Sequence, residues 1–147
     1  MLKPDGYFII NEFVGPTRFQ WTNRQLDIVN SLLNIFPKKY KQLWNSTLIK
    51  PKAIKHSQLS MLLRDPSEAV ESANILPLLH ENFDVVELKG YGGSILHLLF
   101  GGIAQHFLNP DVQGAALLKI CFEMEDFLIS AGEIDHDFMV AVCQKRN

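Results

Sequence analysis

Residues 1–15 read MLKPDGYFIINEFVG. The polar turn Lys3-Pro4-Asp5-Gly6 runs straight into Tyr7, Phe8, Ile9 and Ile10, an unbroken apolar succession. A continuous apolar run bounded by turn residues predicts a strand covered on both faces, as inside a parallel sheet. Small domains rarely begin with their most buried strand. The stretch therefore predicts either an unusual domain or the second part of a larger fold.

Outward from this strand, the loop GPTRFQW leads to Thr22, which reads as a helix N-cap, with Gln25 completing a capping box. Leu26, Val29, Leu32, Leu33 and Phe36 recur at helical spacing until Pro37 closes the segment. A polar, lysine-bearing connector follows to about Ile54, with Tyr40 and Trp44 expected to anchor it on the core. A short helix is expected over 57–64. In DPSEAV, Asp65 caps, Pro66 takes the first helical position and Glu68 the first turn of a helix reaching Glu81 or Asn82, kinked or broken at Pro77.

Residues 83–91, FDVVELKGY, partly alternate and predict a half-exposed strand near a sheet edge. Residues 138–143, FMVAVC, are apolar throughout and predict another strand covered on both faces. Two apolar helices are expected between them, over 94–107 and 109–131. The second has Asn109 as cap, Pro110 at its first position and Gly132 just past its end.

The 147 residues suffice for one domain with a sizeable core, and 47% hydrophobic against 20% charged residues marks a globular α/β chain. A net charge of -2 argues against a broad nucleic-acid footprint. Lys38, Lys39, Lys41, Lys50, Lys52 and Lys55 read as a solvated helix end and loop, since few aromatics interleave with them. Cys121 and Cys143 lie in apolar runs without metal-ligand spacing, which predicts buried free thiols and a cytoplasmic setting. The apolar run 95–107 is too short to span a bilayer, so no membrane partner is expected.

Two of the three predicted strands have interior character, yet a three-stranded sheet has one interior position. At this point LKPDGYFIINE resembles the segment before and within the fifth strand of class I S-adenosylmethionine-dependent methyltransferases, with Asp5 in place of the first of two usual glycines. DPSEAVESANILPLLHENFDVVELKGYGGSILHLL is similar to the later part of bacterial members. In that family seven strands lie in the order 3-2-1-4-5-7-6, with the seventh antiparallel. The resemblance implies that YFIINEFV is the fifth, FDVVELKGY the sixth and FMVAVCQKR the seventh. The expected fold is thus a partial Rossmann-like methyltransferase fold: a three-stranded mixed sheet in the family's order 5-7-6, with several helices. It forms a single domain over 1–147, in which 92–137 is a helical insertion or lid.

The same resemblance implies methyl transfer to a small-molecule acceptor in the complete protein. This chain would supply the substrate side and be inactive alone. S-adenosylmethionine would be the cofactor of the complete enzyme, held by a glycine-rich loop and an acidic residue that precede the fifth strand; none is expected for this chain alone. GYGGS, residues 90–94, lacks G-x-G-x-x-G spacing and the Lys-Ser/Thr of a phosphate loop, and reads as a glycine turn. Its use as an anion site is the rival reading.

Ligands of open α/β sheets sit beyond the carboxyl ends of the parallel strands. Asn11, Glu12, Arg18, Phe19, Trp21, Tyr91 and His97 are expected there. Glu12 or His97 would act as a base toward a hydroxyl acceptor, and Arg18 would hold an acidic group. Trp21 or Tyr91 would stack on a planar or sugar substrate, with Asn11 and Phe19 lining the same end. Simpler roles compete: Glu12 salt-bridging Arg18, His97 as a core histidine, Trp21 stapling the helix behind it. Asp135-His136-Asp137 reads as a solvated turn, and no metal is expected. The exposed first strand predicts a homodimer. The alternative function is a non-enzymatic interaction module, or a small-molecule binder using the helical insertion.

Overall fold

The computed structural model describes Lys3, residues 5–55 and residues 70–146. The helix expected over 57–64 and the start signal at Asp65, Pro66 and Glu68 lie outside the described residues. The strands are β1 (Tyr7–Phe13), β2 (Phe83–Gly90) and β3 (Phe138–Lys145). The α-helices are α1 (Asn23–Ile35), α2 (Ile75–Asn82), α3 (Leu96–Phe100) and α4 (Val112–Ser130). The chain divides into two compact units, one of 1–20, 56–92 and 136–147, the other of 21–55 and 93–135.

The first unit is built on the sheet, whose order is β1-β3-β2. Both ladders are antiparallel, running from Tyr7↔Gln144 to Phe13↔Phe138 and from Phe83↔Lys145 to Gly90↔Met139. This corrects the mixed sheet: a mixed sheet needs a parallel ladder, and the described residues hold none. Nor do they contain the seven-strand order of a Rossmann-like sheet. The interior position goes to β3, where Ala141 and Cys143 are completely buried. β1, expected to be covered on both faces, is instead the edge strand among the described residues, with Tyr7 56%, Phe8 40% and Ile9 64% exposed. Apolar composition does not decide which strand receives two neighbours.

One face of the sheet is covered by α2. Leu79 of α2 joins Ala141 and Cys143 in a core, against which Ile10, Ile75, Leu76, Phe83 and Val85 pack. Because side chains alternate along a strand, Ile9 and Tyr7 point to the face opposite Ile10. β2 shifts register between Val85 and Glu87, and Val86 beside this irregularity is 56% exposed. The kink or break expected at Pro77 is not seen: after a 3-10 turn over Ser72–Asn74, α2 begins at Ile75 and runs through Pro77, which sits in its first turn. There the missing N–H removes no intrahelical bond.

In the second unit, Thr22 caps α1 in a full capping box with Gln25. The helix buries Val29, Leu32 and Leu33. The helix expected over 94–107 is two pieces, α3 and a 3-10 turn over Ala104–Phe107. Gly101 and Gly102 separate them, and Gly102 has φ 77°, outside the helical region. Lys50 closes the C-terminal end of α3, donating to the carbonyls of Leu98 at 2.8 Å, Leu99 at 3.1 Å and Gly101 at 2.7 Å. Burial pushes its ammonium down to about 8. Lys41 Nζ reaches the Leu33 carbonyl at 3.1 Å, so these lysines are not simply solvated.

The cap of α4 is Asp111, not Asn109: its side chain accepts from the Gly114 amide at 2.7 Å. Lys39, then Tyr40, then that amide hold its carboxyl well below the usual carboxylate range. Gly132, at φ 70°, ends the helix as expected. Tyr40 is buried against Phe107, whereas Trp44, expected as a second anchor, is 71% exposed. Both cysteines are buried free thiols, and burial raises Cys121 to about 11. Among the described residues no helix is long and apolar enough to cross a membrane.

Candidate functional site

The C-terminal ends of β1 and β2 and the start of β3 meet at one end of the sheet. β2 leaves through Gly90 and Tyr91, and the chain returns through His136 and Asp137. The Tyr91 amide donates to the Phe138 carbonyl at 3.1 Å, while Asp137 and Phe138 amides donate to Gly92 at 3.1 and 3.0 Å. Val14 closes the β1 side by donating to the Asp137 carbonyl at 2.7 Å. Backbone bonds thus fix this end from both sides, which is what a positioned site requires.

Asn11, Phe13 and their partners Val140 and Phe138 share one face of the ladder. Tyr91 joins them, donating its hydroxyl to Asn11 Oδ1 at 2.5 Å. An aromatic row runs from Tyr91 to Phe138 at 5.9 Å, Phe13 at 5.3 Å and Phe19 at 4.9 Å. So Asn11, Tyr91 and Phe19 are brought together. Glu12 is not among them. It pairs with Met139, and alternation sends its side chain to the opposite face.

Arg18 sits in the 3-10 turn Thr17–Phe19 with φ 52°, and Phe19 follows at φ 51°. Two successive non-glycine residues in the left-handed region cost backbone energy, a feature concentrated at sites and ligand clamps. The Arg18 Nη1 atom is buried and has no hydrogen-bond partner among the described residues. Glu12 does not supply one: the simple ion pair expected between them is absent among those residues. Trp21 and His97 belong to the second unit, where Trp21 is buried and the two rings meet edge to face at 6.2 Å. His97 is exposed, which corrects the core-histidine alternative.

The solvated-turn reading of 135–137 fails for two of its residues. Asp137 is 4% exposed and lies against Gly15, where an added Cβ would come within 2.5 Å of its carboxyl carbon. His136 covers Gly90 so closely that a Cβ there would meet the ring at 2.3 Å. Its Nδ1 accepts the Gly92 amide at 2.8 Å, leaving the ring proton of the neutral form on Nε2. Sequence reasoning missed both residues. Gly90 and Gly92, flanking Tyr91, were the only signal, and they speak of close approach without naming the partner.

The glycine turn also has its own anion. In the second unit, Glu125 is 2% exposed and accepts the amides of Gly93 at 2.8 Å, Ile95 at 2.7 Å and Leu96 at 2.9 Å. Buried charges persist when hydrogen bonds satisfy them. The donors that an external anion would need are therefore occupied, which tells against the anion-site reading of 90–94.

No protein-family model, curated protein or solved structure matches the chain.

Proposed function

We propose that the chain forms the substrate-side part of a class I S-adenosylmethionine-dependent methyltransferase, with methyl transfer to a small-molecule acceptor belonging to the protein that includes the cofactor-binding half. The observation that carries this reading is β1, an apolar strand with, among the described residues, a hydrogen-bonded neighbour on one side only and Ile9 64% exposed. A fourth strand beside it would cover that edge. The sheet adds support: β1 and β2, each antiparallel to β3, run the same way on either side of it. The fifth and sixth strands of the family flank the seventh in that manner.

The residues do not fit the cofactor by themselves. The glycine turn's amides already serve Glu125 and His136, and no other glycine-rich loop stands after a strand among the described residues. No step through the cofactor is derived. What these residues support is acceptor positioning: Tyr91 and Asn11 as a hydrogen-bonding pair, the aromatic row as a wall, and Arg18 as the partner of an acidic group. The chain by itself is expected to pair with a second copy along β1.

Isothermal titration of S-adenosylmethionine and S-adenosylhomocysteine, with the solution mass measured on the same sample, tests the reading. Absence of saturable heat together with a dimeric mass is the expected result. One-to-one saturable binding would overturn the assignment to the substrate side, and a monomeric mass would remove the pairing.

A second reading, a small-molecule binder without methyl transfer, is favoured by one observation in the second unit. A groove of about 390 Å³ lies between α1 and α4, lined by Ile28, Leu32, Ile35, Met124 and Leu128 together with the polar Arg24, Asp27 and Ser31. Its volume is in the range of ligand pockets. Saturable binding of an apolar dye there, weakened by Met124→Glu, would favour it.

A further inference from the structure

The second unit carries a second cleft, of different chemistry. The segment 42–49 folds back on itself through the bridge between Gln42 and Ile49. Its tip is tied down at every turn. Leu43 donates to the Leu48 carbonyl at 2.9 Å, Ser46 to Leu43 at 3.2 Å, and the Gln42 amide side chain to Ser46 at 2.8 Å. Trp44 donates its backbone amide to Gly102 at 2.8 Å. Asn45, at φ 49°, takes the left-handed conformation that asparagine tolerates at such a turn. From the other wall, Gln105 Nε2 and His106 Nε2 each reach the Gln42 carbonyl at 2.8 Å.

A loop held this firmly could bury its indole, yet Trp44 is 71% exposed. Leaving so large an apolar ring in water forgoes on the order of 2 kcal/mol of burial. The backbone presents the ring. Around it lies an open cleft of about 780 Å³, lined by Gln42, Asn45, Ser46, Thr47, Gln105 and His106. No lysine, arginine or carboxylate lines it. The side chains of Asn45 and Thr47 make no hydrogen bond among the described residues. His106 and Gln105 use one nitrogen each on Gln42, which leaves His106 Nδ1 and Gln105 Oε1 as further acceptors.

We propose that this cleft binds a neutral saccharide, stacked on Trp44. A pyranose offers a face of C–H groups, whose positive edges suit the negative face of an indole. Its rim of hydroxyls needs neutral groups that both donate and accept, which amides, hydroxyls and a histidine supply. A nucleotide would also stack, but its phosphates call for cationic partners that this lining lacks. The volume matches a short oligosaccharide. The proposal is independent of the methyltransferase reading and stands on the second unit alone.

The test uses the full chain and tryptophan fluorescence with acrylamide quenching. Trp44 is the accessible indole and Trp21, 5% exposed, the silent one. The probes are maltotriose, cellotriose, xylotriose and tri-N-acetylchitotriose, with adenosine monophosphate as the stacking control, all at millimolar concentration. At least one trisaccharide should shift the emission to the blue and protect Trp44 from quenching in a saturable manner. Trp44→Ala should abolish the saturable response, read by calorimetry, while leaving thermal unfolding nearly unchanged because the ring is exposed. Thr47→Ala should weaken it about fivefold, the loss of one net hydrogen bond. Protection by none of the four sugars overturns the proposal. So does protection by adenosine monophosphate alone, or sugar binding that survives Trp44→Ala.

Discussion

β1 and β3 both open with an apolar run, YFII against FMVAVC, and β1 pairs along its whole length with Phe138–Gln144. As structures they are opposites. β3 has a strand on each side and buries Ala141 and Cys143 completely, whereas β1 has one neighbour among the described residues and leaves Ile9 64% exposed. The apolar run in β1 thus meets no second strand among the described residues. What makes a strand interior is the count of its partners, and that count is a property of the assembled sheet.

The comparison breaks hardest under a charge. Ala141→Asp places a carboxylate in the fully buried centre of β3 and should cost about 3–5 kcal/mol, read from denaturant midpoints. Ile9→Asp, compared with the parent at a dilution where both are monomeric, should stay within about 0.5 kcal/mol, since the site is exposed. Equal losses would mean that β1 is covered after all.

Next in size is the effect on association. Ile9→Lys should turn a dimer into a monomer in sedimentation with the fold intact, because a charge on an exposed strand opposes edge pairing. A dimer that persists would place the contact elsewhere. Exchange of backbone amides sharpens the same contrast: β3 should be protected to nearly the global unfolding free energy, and the outward amides of β1 should exchange much faster.

The smallest effect is in pH. Burial raises the thiol of Cys143 above its ordinary value of 9.0. A group whose proton is held more tightly in the fold contributes stability below the unfolded value, and that contribution is lost as pH rises through the folded one. The Cys143 contribution should therefore fall above pH 9, and Cys143→Ala should remove that part of the slope. Taking the difference between the two proteins cancels the other titrations, including those of Cys121 and Lys50. An unchanged slope would show that the thiol titrates normally and that β3 admits water.

Local features were legible. The Thr22–Gln25 capping box and Gly132 at the end of α4 follow from contacts between residues a few positions apart, and the three strands from runs of apolar side chains. Within the candidate site, Tyr91, Asn11 and Phe19 were legible as residues at strand ends, but not that Tyr91 bonds Asn11 from 80 residues away. His136 and Asp137 were hidden because a turn of alternating acid and histidine reads as solvent-facing. Glu125 was hidden for a related reason: its amide partners lie some 30 residues upstream, and nothing local marks a helical glutamate as buried.

The sequence by itself determined where the chain is apolar, where it must turn, and that Thr22 caps α1, since these depend on side-chain chemistry and short-range geometry. Only the tertiary structure decided that β3 and not β1 takes the centre of the sheet, that Glu12 faces away from Tyr91, that Glu125 fills the glycine turn, and that Trp44 stands in water while Tyr40 is buried. Each of these depends on contacts between distant positions. The energy of such a contact exists only once both partners are in place.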